Sequence, residues 1–238
     1  MLACYNEPQS IVKVRIKEDG PMIFKDRKDA GKKLAEMLFH YRDKQDTIVL
    51  GLPRGGVTVA YEIAKTLNLP LDLLIVRKIG FPGNPELAIG ALSETGALTL
   101  NEEIIATYGV SRDYLAKESE RQKEEIARRK VLYRGGEGLP ALAGKSVILV
   151  DDGIATGATV KAAIRSLKQE KLGKLILALP VASPEAELTL RRMVDEWICL
   201  QTPSGFMAVG SYYYNFTQVE DEEVIAMLNE CREREKLP

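Results

Sequence analysis

The sequence is poor in the residues that most often hold metals or act as nucleophiles. Its 238 residues include three cysteines (Cys4, Cys199 and Cys231), one histidine (His40) and one tryptophan (Trp197). No Cys-x-x-Cys pair exists, and a single histidine does not complete a zinc site of the usual spacing, so a structural zinc module is excluded. A sparse, odd cysteine count argues for reduced thiols in a reducing compartment. An excess of one charge is also lacking: Lys plus Arg number 33 and Asp plus Glu 34, for a formal net charge of −1. That excludes a protein held to nucleic acid mainly by phosphate neutralisation, and no helix-turn-helix module or basic tail is evident. Long hydrophobic runs are missing as well. The longest uncharged stretch, Trp197–Val219, carries Gln201, Thr202, Pro203, Ser204, Asn215, Thr217 and Gln218, which would leave many polar groups unsatisfied in lipid. Glu7 and Pro8 interrupt any signal-peptide core. The expectation is a soluble, cytoplasmic protein with neither membrane nor nucleic acid as partner.

What is present is ordinary for a globular chain: 45% hydrophobic and 28% charged residues, enough apolar surface to offset the entropy of ordering. The length suits one domain with appended elements. Residues 1–21 read as an N-terminal arm ending in the turn signal Asp19-Gly20-Pro21. From Asp26 the spacing of Ala30, Leu34, Met37, Leu38 and Tyr41 is helical. Five short apolar runs follow: Thr47–Leu50, Leu71–Val76, Ser146–Val150, Leu175–Leu179 and Trp197–Leu200. Helical segments Val57–Leu67, the segment through Leu167 and Pro184–Val194 alternate with them. Short buried strands alternating with helices predict an α/β domain with a mainly parallel five-stranded sheet flanked by helices. Between Lys78 and Gly144 the alternation breaks. Leu87–Leu100 suits a β-ribbon, and the charged stretch Ser111–Arg134 suits a solvated helix with pairs such as Glu125 with Arg129.

One segment stands apart, Val147-Ile148-Leu149-Val150-Asp151-Asp152-Gly153-Ile154-Ala155-Thr156-Gly157-Ala158-Thr159. A buried strand delivers two adjacent carboxylates to its C-terminal end, where ligands of open α/β sheets bind. A small-residue loop then opens a helix, so successive backbone N–H groups can form an anion pocket, with Thr156 and Thr159 as further donors. Asp151 and Asp152 are acceptors suited to sugar hydroxyls, and strand alternation sends them to opposite sides. Neither a Walker loop nor a Rossmann fingerprint is present. After the first strand comes Leu50-Gly51-Leu52-Pro53-Arg54-Gly55-Gly56-Val57, where glycines permit close backbone approach and Arg54 offers charge-assisted hydrogen bonds. Arg77-Lys78 closes the second run, at the same edge if the sheet is parallel.

The Asp151 segment closely resembles the 13-residue phosphoribosyl diphosphate signature of type I phosphoribosyltransferases, with Gly153 standing where an aliphatic residue is usual, a departure expected to loosen the loop. Pro53-Arg54-Gly55-Gly56 and the stretch Phe206-Met207-Ala208-Val209-Gly210 resemble a branch of that family known as predicted phosphoribosyltransferases, over about residues 22–231. The resemblance implies a phosphoribosyltransferase domain over 22–238, with a flexible flap at about 79–143 and a C-terminal hood at about 197–219. It implies transfer of a 5-phosphoribosyl group from phosphoribosyl diphosphate to a nitrogenous acceptor, a nucleobase above all, with release of diphosphate. Asp151, Asp152, Arg54 and Lys78 are then the catalytic set. Asp151, Asp152, Ala155, Thr156, Gly157, Ala158 and Thr159 take the ribose and 5-phosphate. Arg54, Gly55, Gly56 and Lys78 take the diphosphate, Lys78 in preference to Arg77, and Arg121, Lys123, Arg128 and Arg129 are flap candidates for further contacts. Phe206 and Tyr212 are the acceptor-stacking candidates. Mg2+ is the implied cofactor, held by Asp151 and Asp152 directly or through water, and a homodimer is the implied assembly. In the family's 6-oxopurine enzymes an Asp handles a purine proton where this chain has Ala155, which argues against hypoxanthine or guanine and leaves adenine open. Glu86 is a candidate base in its place. The alternative is a regulatory protein that binds phosphoribosyl diphosphate without transferring it.

Overall fold

The computed structural model describes residues 21–235, without the side chains of Pro85 and Glu86. The N-terminal arm with Cys4, apart from Pro21, and the side chain of Glu86 lie outside the described residues. Those described form eight strands and seven α-helices. They are α1 (Arg27–Met37), β1 (Thr47–Gly51), α2 (Gly55–Leu67), β2 (Leu71–Leu73), β3 (Val76–Phe81), β4 (Asn84–Ser93), β5 (Leu98–Leu100) and α3 (Glu102–Thr107). Then come α4 (Arg112–Arg134), β6 (Ser146–Val150), α5 (Ala158–Leu167), β7 (Lys174–Val181), α6 (Pro184–Leu190), β8 (Glu196–Gln201) and α7 (Asp221–Glu235).

Five strands form one parallel sheet in the order β2-β1-β6-β7-β8. Each inner strand is apolar on both faces because each face carries helices. Alternation divides the side chains between two cores. Val49, Ile148, Val150, Ile176 and Ala178 pack with α1, α2 and α7, while Ile48, Leu50, Val147, Leu149, Leu175 and Leu177 pack with α5 and α6. Asp26 caps α1 by accepting from the Asp29 N–H at 2.8 Å. Gly31 lets α1 approach α2 closely, since a Cβ there would lie 2.7 Å from both Glu62 Cβ and the Val59 carbonyl. The parallel arrangement, with β1 paired to β6 in register from Thr47–Ser146 to Gly51–Val150, brings the loops after these two strands together at one edge.

The second apolar run divides, which corrects the reading of Arg77-Lys78 as the end of a strand in the parallel sheet. β2 stops at Leu73, and the Leu74 N–H donates to the Gly51 carbonyl. The next N–H, of Ile75, is taken by the Glu94 carboxylate at 2.8 Å, so the chain leaves the sheet there. Val76 begins an antiparallel three-stranded sheet, β3-β4-β5, in which Arg77 faces Leu92 across the ladder and Lys78 faces Ala91. The expected β-ribbon is therefore present with one strand more. The charged stretch is a 23-residue helix, α4, capped by Ser111, and the Glu125–Arg129 pair forms at 2.8 Å.

Residues 79–143, where a flap is expected, carry regular structure and several anchors. Arg134, whose side chain is 1% exposed, pairs with Glu94 and lies 3.9 Å from Asp72 on β2. Ser93 and Thr95 share hydrogen bonds with Ser166 of α5, each at 2.7 Å. Among the described residues no helix is long and apolar enough to cross a membrane.

Candidate phosphoribosyl site at the carboxyl edge

The loops after β1 and β6 press on one another. The Pro53–Arg54 peptide is cis, and Arg54 stands immediately before α2. The two glycines that follow lie directly on the acid pair. A Cβ on Gly56 would come within 2.9 Å of Asp151 Cα and the Val150 carbonyl, and one on Gly55 would collide with the Asp152 carboxylate. Only a chain without Cβ atoms fits there, which is the physical content of Arg-Gly-Gly at this spacing.

Both carboxylates lie against this one loop, Asp151 at Gly56 and Asp152 at Gly55. This corrects the expectation that they diverge: β6 ends at Val150, so strand alternation does not extend to Asp152. Asp151 accepts from the Asp152 N–H at 2.9 Å. Burial pushes the Asp151 carboxyl well above the ordinary range, and the neighbouring Asp152 charge adds to this. Burial also raises Asp152, while Arg27 acts against it.

Arg27, in the first turn of α1, is the residue the sequence reading missed. Its Nε donates to Asp152 Oδ2 at 2.7 Å, its Nη1 donates to the Thr217 carbonyl at 2.7 Å, and its guanidinium lies 3.9 Å from the centre of the Phe216 ring. The Tyr213 hydroxyl donates to the Asp152 carbonyl, and burial raises its pKa. A cation in a helix's first turn opposes the helix dipole, but Lys28 shares that misfit, so it does not single out Arg27.

The anion loop is shaped by its neighbours. Gly153 has φ +146°, and a Cβ there would stand 2.6 Å from Val209 Cγ1 and 2.9 Å from Val181 Cγ1. Val209 and Val181 of β7 thus fill the space a side chain at Gly153 would take. Ile154 bridges to Ala182, and Ser183 Oγ donates to the Ala155 carbonyl at 2.5 Å. Gly157, at φ +68°, precedes α5 without a side-chain cap, leaving the first N–H groups of that helix to an incoming acceptor. Ala155 and Thr156 are exposed, and Ala158 and Thr159 half-buried.

Arg54 meets acid from the far end of the chain. Its Nη1 lies 3.1 Å from Glu220 Oε2 and 3.9 Å from Asp221 Oδ1 at the start of α7. The Tyr133 hydroxyl at the end of α4 donates to that same Asp221 oxygen.

Other sequence-named residues are not gathered here. Lys78 is exposed on β3, and its side chain makes no hydrogen bond or ion pair with a described residue. Arg77 donates to Gln122 of α4 at 3.0 Å. Arg121 pairs with Glu118, Lys123 with Glu120, and Arg128 and Arg129 with Glu125, all within α4. Tyr212 is buried in the core, and the half-buried Phe206 stacks on it with ring centres 5.6 Å apart.

Residues 22–216 match the family described as "Phosphoribosyl transferase domain". The chain belongs to the phosphoribosyl transferase domain family. It is 44% identical over 209 residues to "Putative phosphoribosyl transferase Rv0571c" of Mycobacterium tuberculosis (strain ATCC 25618 / H37Rv), a match that covers 87% of this chain and 46% of that protein. The chain therefore spans about half the length of this curated relative. Among solved structures it is similar to TT1426 from Thermus thermophilus, with 44% identity, a TM-score of 0.75, and coverage of 88% of this chain and 99% of that one. The matched residues 22–216 take in the parallel sheet, the loops after β1 and β6 and the β3–α4 insert.

Proposed function

We propose that the protein transfers a 5-phosphoribosyl group from phosphoribosyl diphosphate to a nitrogenous acceptor, a nucleobase above all, and releases diphosphate. The observation that carries this reading is the stacking of Gly55 and Gly56 on Asp152 and Asp151, which joins the proposed diphosphate loop to the ribose-binding acids at one sheet edge. The open N-terminus of α5, with Thr156 and Thr159, takes the 5-phosphate. The acid pair accepts from ribose hydroxyls, and Arg54 exchanges the exposed Glu220 for the diphosphate, whose oxygens make stronger charge-assisted bonds.

As C1 loses its leaving group, positive charge grows on the ribose and negative charge on the diphosphate. The buried carboxylates and Arg54 stand beside these two charges, and their positions are set before reaction. Among the described residues no three His, Cys, Asp or Glu side chains cluster to hold an ion unaided. The two hard carboxylates would suit a magnesium ion, with Asp151 and Asp152 holding it directly or through water, and it would supply neutralisation of charge on the diphosphate. Lys78 stays a diphosphate candidate only if β3 brings it inward on binding. A cytoplasmic homodimer working in nucleotide metabolism completes the proposal.

The test is diphosphate release from phosphoribosyl diphosphate and Mg2+ across a panel of nucleobases. Wild type is expected to release diphosphate with at least one base, and Asp152→Asn and Arg54→Ala to abolish release. Unchanged turnover in both variants refutes the site. Calorimetric binding without turnover on any base favours a regulatory protein.

A further inference from the structure

Charged features outside the proposed transfer chemistry include Arg27, the Arg134–Glu94 pair under the insert, and the cavity lined by Arg77, Arg121 and Arg128. In the last, Arg121 and Arg128 are already paired with glutamates of their own helix. The second anchors the insert. The first touches the acid pair itself.

We propose that Arg27 is a positioning residue for phosphoribosyl binding, the clamp that fixes Asp152 and ties the hood to the acid pair. The inference rests on the transferase reading above. Arg27 and Asp152 are separated by 125 residues, and their side chains are only 11% and 16% exposed. The groups around the guanidinium come from two distant parts of the domain. Nε meets Asp152 after β6, Nη1 meets Thr217 of the hood, and the Phe216 ring lies at 3.9 Å. A Cβ on Gly55 would stand 2.8 Å from Nε, so the Arg54 loop rests on the same pair. The Phe24 N–H donates to the Tyr212 carbonyl and the Tyr214 N–H to the Phe24 carbonyl, which fastens the start of the domain to the hood on either side of Tyr213.

This geometry gives Arg27 two tasks. Two adjacent half-buried carboxylates repel each other, and one guanidinium compensates one of them, leaving the site a single uncompensated acid. The planar fork also has a second arm on Thr217. A substrate hydroxyl therefore meets an Asp152 whose orientation is fixed, and the hood is held over the ribose seat by the same side chain. Lysine has the charge without the fork and performs only the first task.

Arg27→Ala, Arg27→Lys and Phe216→Leu are titrated calorimetrically with phosphoribosyl diphosphate and Mg2+, beside urea unfolding of each. Arg27→Ala is expected to weaken binding roughly 10- to 100-fold, the cost of losing an outer support of a ligand-binding acid. Arg27→Lys is expected to fall between it and wild type, and Phe216→Leu to weaken binding several-fold with the ion pair kept. Millimolar ethylguanidinium is expected to restore part of the binding of Arg27→Ala, which a purely structural loss would not show. Binding by Arg27→Ala within twofold of wild type overturns the proposal. So does a loss that follows the unfolding midpoint in all three variants and is not rescued. A wild type that fails to bind phosphoribosyl diphosphate overturns the transferase reading, and this inference with it. Tight wild-type binding with an indifferent Arg27→Ala overturns this inference alone.

Discussion

The carboxyl edge of the parallel sheet and the outer face of α4 are both rich in charge, and they hold it differently. At the edge, partners come from distant parts of the chain: Arg27 with Asp152 across 125 residues, Arg54 with Glu220 across 166. Along α4 they come from the same helix, three or four residues apart. Pairs of the second kind form in any solvated helix with this spacing and contribute little. Pairs of the first kind require the fold to bring them together, and here one holds Asp152 of the acid pair while the other holds Arg54 on the neighbouring loop. Long-range pairing around a buried charge marks the site better than charge density does.

This contrast can be broken from the side of the insert. Arg134 is the exception there, since its charge is buried against Glu94 and Asp72. Its Nε and Nη1 have no hydrogen-bond partner among the described residues. Arg134→Met leaves those carboxylates buried without compensation and is expected to cost about 3–5 kcal/mol, read from the urea midpoint. Phosphoribosyl diphosphate binding by the folded fraction should be unchanged, and a parallel loss of binding would show that insert and site are one unit. Next in size is Gly55→Ala. Its methyl group displaces the Asp152 carboxylate from Arg27 and is expected to weaken binding about tenfold, on the scale of 1.4 kcal/mol per factor of ten. Binding equal to wild type would show that the loop does not seat on the acid pair when ligand is present.

The smallest effect belongs to Glu125. Arg128, and after it Arg129, holds its carboxyl down at about 2 against an ordinary 4.5. A folded-state value below the unfolded one means that the contribution is complete above pH 4.5 and is lost as the pH falls towards 2. Glu125→Gln is expected to change stability at pH 7 by no more than about 1 kcal/mol and to flatten the acid limb of a stability–pH curve over that window. A larger loss at neutral pH would make α4 more than a solvated helix.

How much of this the sequence discloses depends on the range of the interaction. β6 and its acids were legible because apolar run, acid pair and small-residue loop are contiguous, and the parallel sheet followed from alternation. The Arg54 loop was legible once the second motif gave it a place. The division between β2 and β3 was hidden, because Leu71–Val76 is one apolar run and the group that ends the strand, Glu94, lies 19 residues on. Arg27 was hidden for the same reason. Its partners lie after β6 and in the hood, and no periodicity reports a contact across 125 residues. An aromatic near a site and an aromatic in the core look alike in sequence until burial is known: Tyr212 is buried, and Phe206 is half-buried beside it.

The most direct test of the central claim is a crystal structure with phosphoribosyl diphosphate and Mg2+. The account predicts the 5-phosphate on the N–H groups of Thr156–Thr159, ribose hydroxyls on Asp151 and Asp152, and the diphosphate at Arg54–Gly56 with Glu220 displaced. Density for the ligand elsewhere, or ligand at this edge with Arg54 still on Glu220 and the acids untouched, would contradict it.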